Sequence, residues 1–110
     1  MNEELLASID RELLGWPGVS KKSGRFNSSA YMVGRREIGH IHRNGVADLA
    51  FPRAVHDELI AAGRAQPHQA GVTGIVSYWI KSPDDVSQVI ALFRMNYDRA
   101  SARADDRGSA

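Results

Sequence analysis

The sequence predicts an α+β fold, in which an antiparallel sheet of about four strands has helices packed on one face, in the order α-β-β-β-α-β-α. The first strand-like segments are joined by turns that are too short for crossover helices, so these strands are expected to be antiparallel neighbours. No strand–helix–strand unit repeats. With 110 residues the chain is expected to form one domain, which we place at residues 1–100, followed by a disordered tail at residues 101–110.

The N-terminal segment has the pattern of an amphipathic helix. Asn2 is a suitable N-cap, the helix is expected to end near Gly15, and apolar residues recur at helical spacing at Leu6, Ile9 and Leu13. Residues 18–29 are polar and basic and are predicted to be a loop, from which a short strand could start at Arg25. Residues 30–33 follow as a strand.

Residues 34–52 form the clearest local pattern, a β-hairpin. The rising strand is predicted at residues 37–43 and the returning strand at residues 46–51, with Asn44-Gly45 between them. An Asn-Gly pair supplies the positive φ values that a two-residue type I′ turn requires. This turn type sets the expected pairing of the two strands.

The second half of the chain alternates helices with one more strand. A helix is predicted over residues 53–62, a loop over 64–73 and a strand over 74–81, where β-branched and aromatic residues are concentrated. Ser82 and Pro83 are a typical helix start, because serine can cap the helix and proline is favoured at its first position.

Two histidines on the hairpin are the main candidates for function. His40 and His42 are two residues apart on one strand and therefore share a face of the sheet. A two-residue turn would place His40 opposite Leu49 and would direct Asp48 to the other face. The histidines would then share a face with core residues, namely Ile38, Ala47, Leu49 and Phe51.

This expected register argues against a metal site. Two imidazoles could bind a divalent ion if a third ligand came from His56, His68 or Asp48. Because the register separates His40 from Asp48, no such set of ligands can be shown to converge. We therefore predict no metal and no cofactor, and no Ser–His–Asp triad built from Ser77.

Further polar and aromatic residues flank the histidine pair. Arg35, Arg36 and Trp79 complete a candidate ligand-binding surface around His40 and His42. A second candidate, for anions, comprises Lys21, Lys22 and Arg25. Its loop lacks the glycine spacing and the terminal Gly-Lys-Ser/Thr of a phosphate-binding loop, so a solvated charged surface is the competing interpretation.

Composition excludes several classes of protein. The chain has no cysteine, which rules out disulfides and is consistent with the cytoplasm. It has neither a secretory signal pattern nor a run of apolar residues long enough to cross a membrane. The net charge is only +1, although residues 18–64 carry eight basic and four acidic residues. That imbalance supports nucleic-acid binding as an alternative function.

Several segments together resemble the luciferase-domain family of small bacterial proteins. They are GWPGVS at residues 15–20, GRF at 24–26, VGRREIGHIH at 33–42, VADLAFPRAVHDELIAAGRAQPH at 46–68, and a late strand followed by a helix that ends at Tyr97. The family name implies no light-emitting reaction here, because no flavin- or luciferin-binding pattern is present. The layout is also similar, more remotely, to proteins of the MmcQ/YjbR type, whose link to DNA rests on fold analogy.

The function expected from these features is that of a small, non-enzymatic module that binds a small molecule or a protein, as a monomer or a homodimer. Two alternatives remain open. One is a nucleic-acid-binding module that uses the basic segment at residues 18–64. The other is a metal- or histidine-dependent enzyme at His40 and His42.

Overall fold

A computed structural model describes residues 3–68 and 70–108, without the side chains of Phe26 and of residues 104–108. In chain order, its helices and strands are α1 (Glu3–Leu14), β1 (Val19–Ser23), β2 (Ser29–Val33), β3 (Arg36–Ile41), β4 (Val46–Ala50), α2 (Arg53–Ala61), β5 (Gln66–Pro67), β6 (Ile75–Trp79) and α3 (Pro83–Gly108). Within the described ranges, no helix is long and apolar enough to cross a membrane. The predicted N-cap Asn2 lies outside these ranges.

The six strands form one antiparallel sheet in the order β1-β2-β3-β4-β6-β5. The α+β class is confirmed, but the expected number of about four strands is too low. The two additional strands, β1 and β5, lie at the edges of the sheet within segments predicted to be loops. Both lack the apolar alternation of a half-buried strand.

The composition of the two edge strands is suited to their position. β1 has the sequence VSKKS, and lysine on an edge strand discourages pairing with another chain. β5 contains Pro67, which cannot donate a ladder hydrogen bond and is therefore confined to edges. The alternation of apolar and polar residues that identifies a central strand therefore predicts neither β1 nor β5.

One face of the sheet carries the hydrophobic core. The alternate strand residues Tyr31, Ile41, Ala47, Leu49 and Val76 form a single buried cluster with Ile9 and Leu13 of α1, Leu59 of α2, and Val89, Leu92, Phe93 and Tyr97 of α3. All three helices therefore pack on this face, as predicted. We call the opposite face, which carries Ala30, His40, Asp48 and Ser77, the open face.

The last helix continues beyond the expected start of a disordered tail at residue 101. In the structure α3 extends to Gly108, and residues 109–110 lie outside the described part. Residues 99–104, RASARA, consist mainly of arginine and alanine, which are strong helix formers. The absence of apolar periodicity in this segment therefore did not prevent helix formation.

Candidate functional site

The loop of the β3–β4 hairpin has three residues instead of the predicted two. The amide of His42 donates to the carbonyl of Val46 at 2.8 Å, and the amide of Gly45 donates back to the carbonyl of His42 at 3.0 Å. Of the Asn-Gly pair, Gly45 alone has a positive φ, of 96°. This geometry is that of a three-residue loop closed by a left-handed glycine. The predicted position of the turn is correct and the predicted turn type is wrong.

The longer loop shifts the strand register by one residue. His40 lies opposite Asp48, and Ile41 lies opposite Ala47. Because neighbouring strand residues point to opposite faces, this shift reverses the face on which every β4 side chain lies relative to β3. Asp48 therefore joins the histidines on the open face, and Leu49 enters the core. The expectation that Asp48 and His40 are separated is wrong.

A β-bulge on β3 brings another acid to the same face. Tyr31 of β2 lies opposite Gly39, and Met32 lies opposite Glu37, so Ile38 is the extra residue. The bulge places Glu37 beside His40, with 3.0 Å between Glu37 Oε2 and His40 Nδ1. Ile38 is 1% exposed and belongs to the core, rather than standing beside the histidines as predicted.

Strand pairing aligns one residue from each strand in a row across the sheet. In order of strands, this row consists of Lys22, Ala30, His40, Asp48, Ser77 and Gln66. At its centre the hydroxyl of Ser77 donates to Asp48 Oδ1 at 2.5 Å. Both side chains are buried, with Ser77 1% and Asp48 4% exposed. Ser77 therefore orients a buried carboxylate, and its hydroxyl does not face a histidine as it would in a catalytic triad.

The second oxygen of Asp48 lies close to three imidazole rings. Asp48 Oδ2 is 2.9 Å from Nε2 of His42, 3.5 Å from Nε2 of His40 and 3.6 Å from Nε2 of His68. His68 comes from the segment that follows β5. Its Nδ1 accepts a hydrogen bond from the amide of Ala70 at 3.2 Å. His68 Nε2 therefore faces Asp48, at a distance too long for a hydrogen bond.

The carboxylates determine the charge of this cluster. Asp48, followed by Glu37, raises the pKa of His40 to about 9, although burial of the imidazole acts in the opposite direction. Burial tends to raise the pKa of Asp48, but the contacts with His40, Ser77 and His42 outweigh it and hold the pKa at about 2. His40 is therefore an imidazolium beside an ionised Asp48 at neutral pH.

A pocket of about 490 Å³ opens onto the cluster. It is bordered by the segment at residues 24–28 and by His68 and Val72. The side chains of His40 and His42 are 25% and 27% exposed. They therefore line an accessible pocket, whereas Asp48 beneath them is buried.

The predicted anion site is divided in the structure. Arg25 lines the histidine pocket. Lys21 instead turns toward the helices, where its Nζ is 2.8 Å from Asp10 Oδ1. Lys22 is the next residue along the strand and thus lies on the open face. The three side chains do not converge on one point.

The other predicted flanking residues lie outside the histidine pocket. Trp79 is on the open face but is separated from His42 by Val46, and it lines a different cavity with Asp85. Arg35 and Arg36 lie at the β2–β3 turn and line a cavity on the other side of Glu37. The compact site is thus made by His40, His42 and three residues that the sequence prediction did not assign to it, namely Glu37, Asp48 and Ser77.

The comparisons with known proteins agree with the resemblance seen in the sequence. The model of the Luciferase domain family matches residues 35–96, a segment that contains both hairpin histidines, Asp48 and Ser77. Searches among curated proteins and among solved structures gave no match. Because the matched segment covers more than half of the 110 residues, the chain belongs to the Luciferase domain family.

Proposed function

We propose that this protein is a small ligand-binding module and that its ligand is a divalent transition-metal ion held by His40, His42 and Asp48. One observation carries the proposal: a ligand atom from each of these residues lies within 4.8 Å of the other two. The sequence-based argument against a metal depended on a register that separated Asp48 from the histidines. With the observed register, that argument no longer applies.

The distances between the donor atoms support a shared ion. Ligands bound to zinc at about 2.0–2.2 Å in a tetrahedron lie about 3.3–3.6 Å from one another. Asp48 Oδ2 lies 2.9 Å from Nε2 of His42 and 3.5 Å from Nε2 of His40. All three donor atoms lie within 4.8 Å of one another, so the imidazole rings would rotate toward each other to bind one ion.

Outer hydrogen bonds prepare the proposed ligands. An ion would displace the Nε2 proton of the His40 imidazolium, while the Nδ1–H continues to donate to Glu37 at 3.0 Å. The hydroxyl of Ser77 engages Asp48 Oδ1, which leaves Oδ2 for an ion. Hydrogen bonds of this kind to the ligands are typical of metal-binding histidines and carboxylates.

The donor set leaves room for further ligands. Two imidazoles and one carboxylate suit zinc and divalent iron or manganese, and leave coordination positions open toward the pocket. Of the described residues that line the pocket, Ser28 alone has a hydroxyl group, and its Oγ donates to the carbonyl of Arg25 at 2.7 Å. A water molecule or a small ligand would therefore occupy the open positions of the proposed ion, rather than a hydroxyl side chain of the pocket.

Zinc titration of untagged, metal-free protein by isothermal calorimetry tests the proposal. We expect one ion per chain, and a large loss of affinity in His40→Ala, His42→Ala and Asp48→Asn. His56→Ala is the matched control, because His56 lies on α2 and contacts Asp57. Zinc binding that is absent, or that persists unchanged in the His40 and His42 variants, contradicts the proposal.

Nucleic-acid binding stays a prediction, and the described basic residues of segment 18–64 form no single surface that favours it. The basic residues of segment 18–64 are dispersed: Lys21 faces the helices, Lys22 faces the open face, and Arg36 lies beyond Glu37. Phosphate contacts would make the affinity fall steeply with salt. Failure to bind any oligonucleotide at low salt would reject this alternative. The proposed cytoplasmic location rests on the absence of cysteine.

A further inference from the structure

A cluster of arginines lies on the opposite side of Glu37 from the histidine pocket. Arg36 begins β3, and Arg99 and Arg103 are one turn apart on α3. All three line one cavity of about 240 Å³, together with Glu37 and apolar residues that include Phe51 and Ala100. Arg35, Arg36 and Arg103 also line the adjoining cavity of about 630 Å³. Cations from two distant parts of the chain therefore meet at one place.

Arg99 is held in position but is incompletely bonded. Its guanidinium carbon lies 5.6 Å from the centre of the Phe51 ring, and its Nη2 donates to Asn96 Oδ1. Its Nη1 is buried and has no hydrogen-bond partner among the described residues. A buried donor on a cation is costly unless a ligand or water supplies an acceptor. A bound anion would supply the acceptor that Nη1 of Arg99 lacks.

The charges around the cavity point to the same kind of ligand. Burial lowers the pKa of Arg99, and the positive charges of Arg103 and Arg36 lower it further. Of the described residues that line the smaller cavity, Glu37 is the one carboxylate, and its Oε2 already contacts His40. Three guanidinium groups and one carboxylate leave a net charge of +2.

We propose that this arginine cavity binds the dianionic phosphoryl group of a phosphorylated small molecule. Guanidinium groups bind phosphate oxygens through paired hydrogen bonds, and a monoester dianion matches the excess charge of the cavity. The ring of Phe51, with Pro52 and Ala100, gives the rest of the molecule an apolar wall. This proposal uses the arginines instead of the metal ligands and does not depend on the metal site, although Glu37 borders both.

Calorimetric titration with inorganic phosphate on metal-free protein tests the proposal, with acetate and dimethyl phosphate as monoanionic probes at equal ionic strength. Phosphate is expected to bind more tightly than either monoanion. Loss of one charge-assisted contact in Arg99→Gln or Arg103→Gln should weaken phosphate binding about 10-fold or more. Arg94→Gln is the matched control, because it removes one charge from the same helix at a side chain paired with Asp98.

Further variants separate the possible outcomes. Arg103 is exposed, so Arg103→Gln remains informative if Arg99→Gln fails to fold. His42→Ala removes a proposed metal ligand and should bind phosphate as the wild type does. Equal binding of phosphate and acetate overturns the proposal, and so does an equal loss in Arg94→Gln and Arg103→Gln. Dimethyl phosphate that binds as tightly as phosphate also overturns it, because a nucleic-acid phosphodiester would then fit as well as a monoester.

Discussion

Gly39 precedes His40 on β3 and lies against the centre of the core. A Cβ atom added at Gly39 would be 2.5 Å from Cε1 and 2.9 Å from Cζ of Phe93, and 3.0 Å from Cγ of Leu49. Phe93 is 0% and Leu49 is 1% exposed, so neither side chain can move into solvent. The substitution Gly39→Ala should therefore destabilise the fold through steric overlap.

The size of the effect follows from these distances. Carbon atoms pack best at about 3.5–4.0 Å, so the Phe93 ring or strand β3 would have to move by about 1 Å. Overpacking of a buried site costs about 1–3 kcal/mol. For a domain of this size, that loss lowers Tm by about 4–15 °C. Because β3 carries His40, a displaced strand should also weaken the proposed zinc binding.

Thermal unfolding followed by circular dichroism measures the change in Tm. Gly15→Ala is the matched control, because its added Cβ would lie at an ordinary 3.4 Å from the nearest backbone oxygens. In a Phe93→Leu background the smaller side chain should reduce the cost of Gly39→Ala by about 0.5 kcal/mol or more. The reasoning is refuted if Gly39→Ala costs no more than the control, or costs the same in both backgrounds.

Three further changes test individual contacts. Ser77→Ala removes the hydroxyl donor of buried Asp48, and should cost about 1.5–3 kcal/mol in urea unfolding and about 10–100-fold in zinc affinity. Asn96→Ala leaves two backbone carbonyls of the sheet without their donor, and should cost about 1–3 kcal/mol by the same assay. The hydroxyl of Tyr78 and nearby backbone amides lower the pKa of Asp85, so its stabilising effect is present above the ordinary aspartate pKa of about 3.9 and is lost as the pH falls below it. The unfolding free energy of Asp85→Asn should consequently fall less than that of the wild type on acidification, and an equal fall would contradict this assignment.

The hairpin shows how far local sequence can determine a site. Asn44-Gly45 correctly predicts where the chain turns, since a left-handed residue is required there and glycine provides it. Two- and three-residue loops both accept this pair. Only the packing of Leu49 and Ala47 into the core selects the longer loop, and with it the face on which Asp48 lies.

The pattern of apolar and polar residues in the sequence also did not predict the edge strands or the bulge. β1 is a strand because it pairs with β2, although its sequence is polar. The bulge at Ile38 brings Glu37 to His40, and no local signal predicted it. The arginine cavity joins residues more than sixty positions apart, and Arg103 lies in the segment predicted to be a disordered tail.

The sequence by itself determined the α+β class, the positions of the three helices and the central strands, and the hairpin, because these depend on periodicity, capping and turn residues that act over a few positions. The family followed from the resemblance of longer segments, and the family model confirms it. The tertiary structure alone decided that the histidines meet Asp48 and that three arginines meet beyond Glu37. Strand register is the physical reason for the first, since a shift of one residue moves a side chain from one face of the sheet to the other. Packing of α3 across the sheet is the reason for the second.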